Sequence, residues 1–312
     1  MVLLGSLWFL WKMADGRGEE WRNAADDLPN QCDVVLVGSS LIAAPLQKYE
    51  FSTRKTQESE LPFHLTPTYR AIRAEKVLAA SGAGELTVYN SAAIGQDIGS
   101  TEKLVSRLIE LKKRPRLIVL FIAPLVMVGK DHSNASIQQD ISVLQLRFHD
   151  FCNEQRLAMV AWSEAIYKAF SQQKYFSVRE PGDSDIGWKL DEAKSKEKYR
   201  RRVGKPKLMI MTHILNLCRE HSIQALIVST PVAPRNRALF SGFTYESYLH
   251  SIKHAMAAGG VTNCDESLVD LGQSSDFIES TDFQNGTHCN ANGCEKMLRA
   301  IAPSITRQLH DI

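Results

Sequence analysis

The chain has 312 residues, of which 44% are hydrophobic and 23% are charged, and its formal net charge is +2. This composition is typical of a globular protein with one large α/β domain or two small ones. The small net charge does not favour a nucleic-acid partner, and the basic run at 194–202 is typical of a solvated loop or helix face.

The N-terminal residues up to Trp11 are nearly all apolar and are followed by Lys12. The run is shorter than the roughly 20 residues of a spanning helix, and it lacks the basic start and cleavage site of a signal peptide. It is either the end of a membrane anchor that begins upstream or an amphipathic segment that packs on the domain. Trp8 and Trp11 beside Lys12 resemble an interfacial belt and favour the anchor. We therefore predict an apolar segment and linker over 1–31 and a domain over 32–312.

Short apolar runs that end in turn signals predict five β-strands, at 34–37, 86–89, 116–122, 225–229 and 268–271. Segments with helical periodicity lie between and after them, at 41–49, 69–80, 100–113, 207–221, 245–258 and 292–309. Pro45 is expected in the first turn of its helix, where a missing N–H is tolerated. This alternation predicts a parallel sheet with helices on both faces. Residues 129–204 interrupt it and are predicted to form an insertion, of the kind that often carries substrate contacts.

Polar residues cluster where the predicted strands end and just before the last helix. Gly38-Ser39-Ser40 follows the first strand, the loop 90–95 follows the second, and residues 282–293 form the densest polar stretch. The carboxyl ends of parallel strands meet at one edge of a sheet, where ligands bind. A serine there and His288 in the last loop are the minimum for acyl transfer. The serine needs a base, and the base needs an acceptor that fixes its tautomer.

These blocks resemble those of the SGNH/GDSL hydrolase superfamily. Gly38-Ser39-Ser40 is similar to its Gly-Asp-Ser block, with Ser40 in the nucleophile position. The loop 90–95 is similar to the second block, whose glycine, here Gly95, lends an N–H to the oxyanion hole. The terminal Asp-x-x-His block resembles the stretch Asp282-Phe283-x-x-Gly286-x-His288-x-Asn290-x-x-Gly293. That stretch is most similar to the membrane-anchored, extracytoplasmic branch that includes the alginate O-acetyltransferase type proteins.

The resemblance implies a flavodoxin-like three-layer α/β/α sandwich and a serine esterase or O-acyl transferase. Acetyl is the expected acyl group, and a carbohydrate or cell-envelope compound is the expected substrate. Ser40 would attack, His288 would act as base and then as acid, and Asn285 or Asp282 would orient the imidazole. The N–H groups of Ser40 and Gly95 would bind the oxyanion. The resemblance implies no metal and no organic cofactor, and a location outside the cytoplasm, with a cytoplasmic location as the alternative.

Two positions depart from the superfamily pattern. The carboxylate expected three residues before the histidine is replaced by Asn285, whose amide can accept a hydrogen bond but cannot stabilise imidazolium by charge. Asp282 lies six residues before His288 and is the alternative. The asparagine expected after the third strand is absent, and Pro124 stands in that turn, as a proline does in relatives of the anchored branch. Asn134 is a distant candidate replacement in the oxyanion hole, and Asn90 is the alternative.

Simpler roles remain open for the same residues. Ser39 and Ser40 could cap the helix that follows, and His288 could be a surface residue that caps the last helix. The two departures also favour a second interpretation, a catalytically impaired protein of this fold that binds glycan or assembles with partners in envelope polysaccharide processing. A nucleotide-binding domain is the weakest alternative, since residues 38–43 are neither a dinucleotide fingerprint nor a phosphate loop.

The six cysteines form no Cys-x-x-Cys pair, and we expect buried thiols with one possible disulfide. Cys264, Cys289 and Cys294 lie near His288 in sequence, but their spacing matches no standard zinc ligand set. We therefore predict no metal site.

Overall fold

The computed structural model describes residues 24–51, 68–93, 96–127, 203–237, 242–284 and 288–310. The N-terminal apolar run, nearly all of the predicted insertion at 129–204, and both Gly95 and Asn285 lie outside these ranges. Among the described residues, no helix combines the length and the apolar character that crossing a membrane requires.

The centre of the protein is a six-stranded sheet. Its strands are Gln31–Val37 (β1), Tyr69–Arg70 (β2), Val88–Asn90 (β3), Arg114–Ile122 (β4), Gln224–Ser229 (β5) and Leu268–Asp270 (β6). They lie in the order β2-β3-β1-β4-β5-β6, and every pairing is parallel except that of β2 with β3. The predicted α/β fold is confirmed, and each of the five predicted strands is present. The predicted count is corrected, because a short antiparallel strand is added at the edge.

The additional strand lies where a helix was predicted to start. Tyr69 and Arg70 pair with the end of β3 instead, and the helix begins at Ile72. The carboxylate of Glu75 accepts hydrogen bonds from Arg70 Nε at 2.8 Å and from the N–H of Val88 at 2.9 Å. The Glu75 side chain therefore joins this helix to β2 and β3. The local periodicity of the sequence does not reveal such contacts.

The helices form two layers, one on each face of the sheet. They are Ser40–Phe51 (α1), Ile72–Leu78 (α2), Ile98–Glu110 (α3), Pro124–Met127 (α4), Lys205–Glu220 (α5), Pro234–Arg237 (α6), Gly242–Ala258 (α7), Glu279–Asp282 (α8) and Ala291–His310 (α9). Helices α1, α2 and α9 cover one face, and α3, α5 and α7 cover the other. The chain crosses from β1 to β3 in one direction along the sheet and from β3 onward in the opposite direction. Because crossovers between parallel strands are right-handed, the helices of these two sets of connections lie on opposite faces of the sheet.

Strand β1 is buried on both faces. Val35 and Val37 pack toward α3, α5 and α7, whereas Val34 and Leu36 pack toward α1 and α9. All four side chains are fully buried, and burying each contributes about 1.5–3 kcal/mol. This two-sided burial explains why the strand is a continuous apolar run rather than an alternating one.

Helix α1 contains Pro45 in its interior rather than in its first turn, which corrects the prediction. The ring is buried. A proline there cannot donate the hydrogen bond to the carbonyl four residues earlier, and this normally destabilises a helix. Packing of the α1 face that carries Ile42 and Leu46 against the sheet holds the helix together despite that loss.

The strand order places a ligand-binding position at β1. The chain leaves β1 in one direction toward β3, and the later strands β4, β5 and β6 lie on its other side. In open parallel sheets, ligands bind beyond the carboxyl ends of the strands where this order reverses. The crevice beyond Val37, at the start of α1, is therefore the expected position of a functional site.

Asp33 at the start of β1 offers a test of the pairing between β1 and its neighbours. Its carboxylate accepts the N–H and hydroxyl of Thr87, both at 2.8 Å, and pairs with Arg116 at 3.1 Å. Burial by itself raises the pKa of this carboxyl, but the hydrogen bonds from Thr87 and the charge of Arg116 outweigh it and leave the pKa below its usual value. The stabilisation is thus present above the unfolded-state pKa of about 3.9 and is lost as pH falls through the lower folded-state pKa.

We expect Asp33→Asn to destabilise the protein by about 1–2 kcal/mol at pH 7, because the charged acceptor is lost. The difference from the wild type should shrink as pH falls below about 4 toward the lower folded-state pKa of Asp33, where the wild-type carboxylate becomes protonated as well. Urea unfolding at several pH values measures it. Asp265→Asn removes the acid of an exposed pair with Lys253 and serves as the control. An Asp33→Asn penalty that stays constant down to pH 2.5 would contradict this account.

Candidate active site

The structure brings Ser40 and His288 together although 248 residues separate them. Ser40 Oγ lies 3.0 Å from His288 Nε2, within hydrogen-bond distance. Both side chains are partly exposed. In the tautomer that carries its proton on Nδ1, the imidazole accepts the serine hydroxyl through Nε2. This is the relation between a serine nucleophile and its general base.

The two serines after β1 have different positions. The Ser39 carbonyl accepts the N–H groups of Ile42 and Ala43, both at 3.1 Å, and its hydroxyl lies 3.4 Å from the N–H of Leu41. Ser39 is therefore the cap of α1, and Ser40 is the first residue of that helix. The Ser40 N–H has no acceptor among the described residues and belongs to the positive end of the helix, where developing negative charge is stabilised.

Gly38 allows β1 to end close to β4. A Cβ at this position would lie 2.9 Å from Ile42 Cγ2 and 3.1 Å from the carbonyl oxygen of Phe121. Any side chain would push the start of α1 away from the sheet. The glycine therefore fixes the position from which Ser40 faces the crevice.

His288 lies in the loop between α8 and α9, here called the His288 loop (residues 283–290). Its described ends pair as in a hairpin, because Phe283 and Cys289 form an antiparallel bridge. Gln284 N–H donates to the carbonyl of His288 at 2.8 Å, and Asn290 N–H donates to the carbonyl of Asp282 at 2.9 Å. The backbone of His288 is thus held directly.

Asn290 joins this loop to the last helix. Its side-chain Oδ1 accepts the N–H of Gly293 at 3.1 Å, which makes it the cap of α9. Its Nδ2 donates to the carbonyl of Thr281 at 2.8 Å. The cap of α9 is therefore this asparagine, and His288 does not occupy that position.

Asp282 is buried to 1% exposure and stands at the end of α8. Its carboxylate accepts the N–H of Ile278 at 2.7 Å, the hydroxyl of Thr281 at 3.1 Å and Lys296 Nζ at 2.7 Å. No hydrogen bond or ion pair joins this carboxylate to the His288 ring within the described part of the chain. Of the two predicted supports of the imidazole, Asp282 faces Lys296, and Asn285 lies outside the described residues.

The predicted oxyanion loop runs beside β1. Ala93 N–H donates to the carbonyl of Gly38 and to Gln96 Oε1, each at 3.1 Å, and Gln96 N–H donates back to the carbonyl of Ala93 at 3.1 Å. The backbone is therefore anchored on both sides of 94–95, which the structure does not describe. Asn90 is buried, and its side-chain amide donates to the carbonyl of Ala92 and accepts the N–H of Ala92. This predicted oxyanion candidate thus shapes the same loop.

The end of β4 carries no asparagine side chain toward the crevice in the described stretch up to Met127. Pro124 instead begins the short helix α4, and the carbonyl of Ala123 accepts the N–H groups of Val126 and Met127. A proline suits a first helical position because no N–H is needed there. The departure at this block is therefore a helix start rather than an irregular turn.

Sequence reasoning did not find two lysines that bind side chains next to or within the His288 loop. Lys296 pairs with Asp282, and Lys48 of α1 donates to Gln284 Oε1 at 3.0 Å. These contacts join residues far apart in the chain, so no local spacing marks them. The only signal in the sequence was that Lys296 lies on the helix that follows the polar stretch, and no signal marked Lys48.

The cysteines near the site are neutral thiols. Burial raises the pKa of Cys289 to about 12, with the charge of Asp282 acting in the same direction, and burial raises the pKa of Cys294 well above its usual value. Thiols of that kind are poor nucleophiles and poor metal ligands. Cys32, Cys218, Cys264, Cys289 and Cys294 are all free, and the described residues contain no group of three or more acidic, cysteine or histidine side chains able to hold a metal ion.

Comparison with known proteins found no matching protein-family model and no curated protein of significant similarity. Among solved structures, LAE5, an alpha/beta hydrolase enzyme from the metagenome of Lake Arreo, is 12% identical, with 89% of this chain and 96% of that chain covered and a TM-score of 0.43. A variant of Axe2, an acetyl-xylooligosaccharide esterase from Geobacillus, is 10% identical, with 88% and 94% covered and a TM-score of 0.43. TesA is 12% identical, with 89% and 99% covered and a TM-score of 0.40. Similarities this weak assign neither a family nor an activity to this chain.

Gly293 provides a test of how tightly the His288 loop packs on α9. A Cβ there would lie 2.2 Å from the carbonyl oxygen of Asp282 and 2.9 Å from Cys289 Cβ. We expect Gly293→Ala to destabilise the protein by about 1–3 kcal/mol, because backbone must move to make room. Chemical denaturation measures the loss. Ala300→Ser adds one heavy atom on the exposed side of the same helix, so its effect should stay within about 0.5 kcal/mol. Equal effects of the two substitutions would disprove close packing at Gly293.

Proposed function

We propose that the protein is a serine hydrolase of the SGNH type that cleaves or transfers an O-acyl group. The observation that carries the proposal is the 3.0 Å distance between Ser40 Oγ and His288 Nε2, at the amino end of α1 and at the carboxyl end of β1. A serine hydroxyl, an imidazole and a helix N-terminus at the reversal point of a parallel sheet together provide nucleophile, base and anion stabilisation.

In the proposed reaction, Ser40 Oγ attacks the carbonyl carbon of the ester while its proton passes to His288 Nε2. The carbonyl oxygen takes up the negative charge of the tetrahedral intermediate. His288 then gives the proton to the leaving alcohol, and an acyl-serine remains. Water or a sugar hydroxyl next loses its proton to His288 and attacks the acyl group, which releases acid or a new ester and restores Ser40.

The oxyanion would be bound by the N–H of Ser40 together with that of Gly95. The Ser40 N–H has no acceptor among the described residues, and the backbone on both sides of Gly95 is anchored to Gly38 and Gln96. Losing one such donor typically costs about 10²–10³ in rate. Because β4 ends at Ile122 and is followed by Ala123 and Pro124 rather than by an asparagine, we propose that backbone donors alone bind the oxyanion.

The residue behind His288 is proposed to be Asn285. It occupies the position of the usual carboxylate, and Asp282 is engaged with Lys296. An amide can fix the imidazole tautomer if its oxygen faces Nδ1–H, but it does not stabilise imidazolium by charge. In serine proteases the corresponding exchange of aspartate for asparagine lowers turnover about 10⁴-fold. We therefore expect a slow enzyme unless the substrate supplies further binding.

For the substrate we propose an acetylated carbohydrate of the cell envelope, as in the anchored branch that the terminal block resembles. We accordingly propose a location outside the cytoplasm, with a membrane attachment near residues 1–11. The second candidate is a glycan-binding partner on the same fold without turnover. It is favoured by one observation, the asparagine at 285.

Ser40→Ala tests the nucleophile. We expect it to lower hydrolysis of 4-nitrophenyl acetate by about 10²-fold, the margin that remains when an amide rather than a carboxylate supports the imidazole, and to abolish covalent labelling by a fluorophosphonate, because no other group takes the place of the hydroxyl. Ser39→Ala is the matched control, since it loses only the α1 cap at a cost of about 1 kcal/mol and should keep most of the activity. Wild-type protein that binds glycan but is neither labelled nor active would support the second candidate. Labelling that persists in Ser40→Ala would disprove the assignment.

A further inference from the structure

The buried carboxylate of Asp282 has hydrogen-bond partners on both of its oxygens. All of these partners lie in the stretch of chain from Ile278 to Lys296, which contains His288. One oxygen accepts both the N–H of Ile278 and Lys296 Nζ, each at 2.7 Å, and the other accepts the hydroxyl of Thr281 at 3.1 Å. A carboxylate that is 1% exposed is costly to desolvate unless it is paired and hydrogen-bonded, and here both conditions are met. So complete a set of bonds makes the position of Asp282 rigid.

The backbone of the same residue continues into the His288 loop. The carbonyl of Asp282 accepts the N–H of Asn290, and the next residue, Phe283, bridges to Cys289. The two residues that follow His288 are therefore bonded to Asp282 or to its neighbour Phe283. Gly293 packs directly on the Asp282 carbonyl, so the first turn of α9 contacts the same residue.

Lys296 attaches Asp282 and the His288 loop to α9, which packs on one face of the sheet. It lies on α9 and also donates to the carbonyl of Asp276 at 3.2 Å, so one ammonium group joins the chain before α8, the end of α8 and α9. Helix α9 packs in turn on α1, which begins with Ser40. The ion pair thus lies on a continuous path of packed elements from the base to the nucleophile.

We propose that Asp282 is a positioning residue that, through its ion pair with Lys296, fixes the His288 loop and holds His288 Nε2 within hydrogen-bond reach of Ser40. The inference rests on the proposed function of that pair. In this role Asp282 positions the loop and is not the acceptor of the Nδ1–H of the imidazole. Displacing a reacting group by about 1 Å can cost about 10²-fold in rate, so a loosened loop has a measurable effect on turnover.

The test uses four variants of the full chain. Asp282→Asn removes the charge but keeps oxygen acceptors, Lys296→Met removes the ammonium but keeps the aliphatic chain, the double variant removes both, and Lys296→Arg keeps the charge. Lys296 is 40% exposed, so its variants give a result even if Asp282→Asn does not fold. Asp265→Asn and Lys253→Met break an exposed pair on α7 and the loop after it, and are the matched controls.

The first readout is the pH dependence of kcat and KM for 4-nitrophenyl acetate, with the rate of fluorophosphonate labelling at Ser40. We expect Asp282→Asn and Lys296→Met each to lower kcat by about ten- to a hundredfold with little change in KM or in the acidic limb of the profile. The kcat of the double variant should fall no further than that of the more impaired single variant, because both substitutions act through one ion pair. Lys296→Arg should recover most of the loss, and the controls should stay within about twofold of the wild type.

The second readout does not depend on activity. Hydrogen exchange at the amides of Gln284 and Asn290, which donate to His288 and Asp282, should become faster in Asp282→Asn and Lys296→Met and stay unchanged in the controls. If the wild type is neither active nor labelled but the exchange still changes, the proposed function fails and the positioning of the loop stands. Unchanged exchange and kcat in Lys296→Met would overturn the inference. So would a loss of about 10⁴-fold in Asp282→Asn with its acidic limb displaced by more than one pH unit, which would make Asp282 the partner of the imidazole.

Discussion

The contact between Ser40 and His288 depends on the burial of β1 on both faces. Because Val34 and Leu36 pack on one side and Val35 and Val37 on the other, this strand cannot shift its register without exposing one set of side chains or burying polar groups. Its carboxyl end is therefore a fixed point. Gly38 then lets the chain turn directly into α1, and the first residue of that helix is held at the reversal point of the sheet.

His288 reaches the same point by a different physical route. It lies in a loop whose described ends combine backbone hydrogen bonds with the burial of Phe283 and Cys289, and that loop is attached to α9 by the cap of Asn290 and by Lys296. Helix α9 itself is positioned by packing, since Met297, Ile301 and Ile305 are fully buried in the core that also contains α1. Ser40 is thus placed by the sheet, and His288 is placed by hydrogen bonds and an ion pair that attach its loop to a packed helix.

Much of this arrangement was predictable from the sequence, for reasons that the residues make plain. A strand buried on both faces is a continuous apolar run, so all five parallel strands could be located, and the block order indicated Ser40 and His288. The two-residue strand Tyr69–Arg70 was missed because its pairing with β3 depends on contacts outside its own segment. Pro45 was misplaced because tertiary packing overrides a local rule. The pair Asp282–Lys296 joins two elements across 14 residues, and no periodicity marks it.

The separation of 248 residues between Ser40 and His288 has a consequence for the order of events during synthesis. A ribosome delivers β1 and Ser40 early, whereas His288 and α9 emerge only after most of the sheet-forming segments. Contacts this distant in sequence form slowly, because the loop that joins them must close first. The nascent polypeptide therefore carries Ser40 without His288 for most of its elongation. The contact between the two side chains forms only when α9 docks, so the activity that we propose begins only with the completed fold.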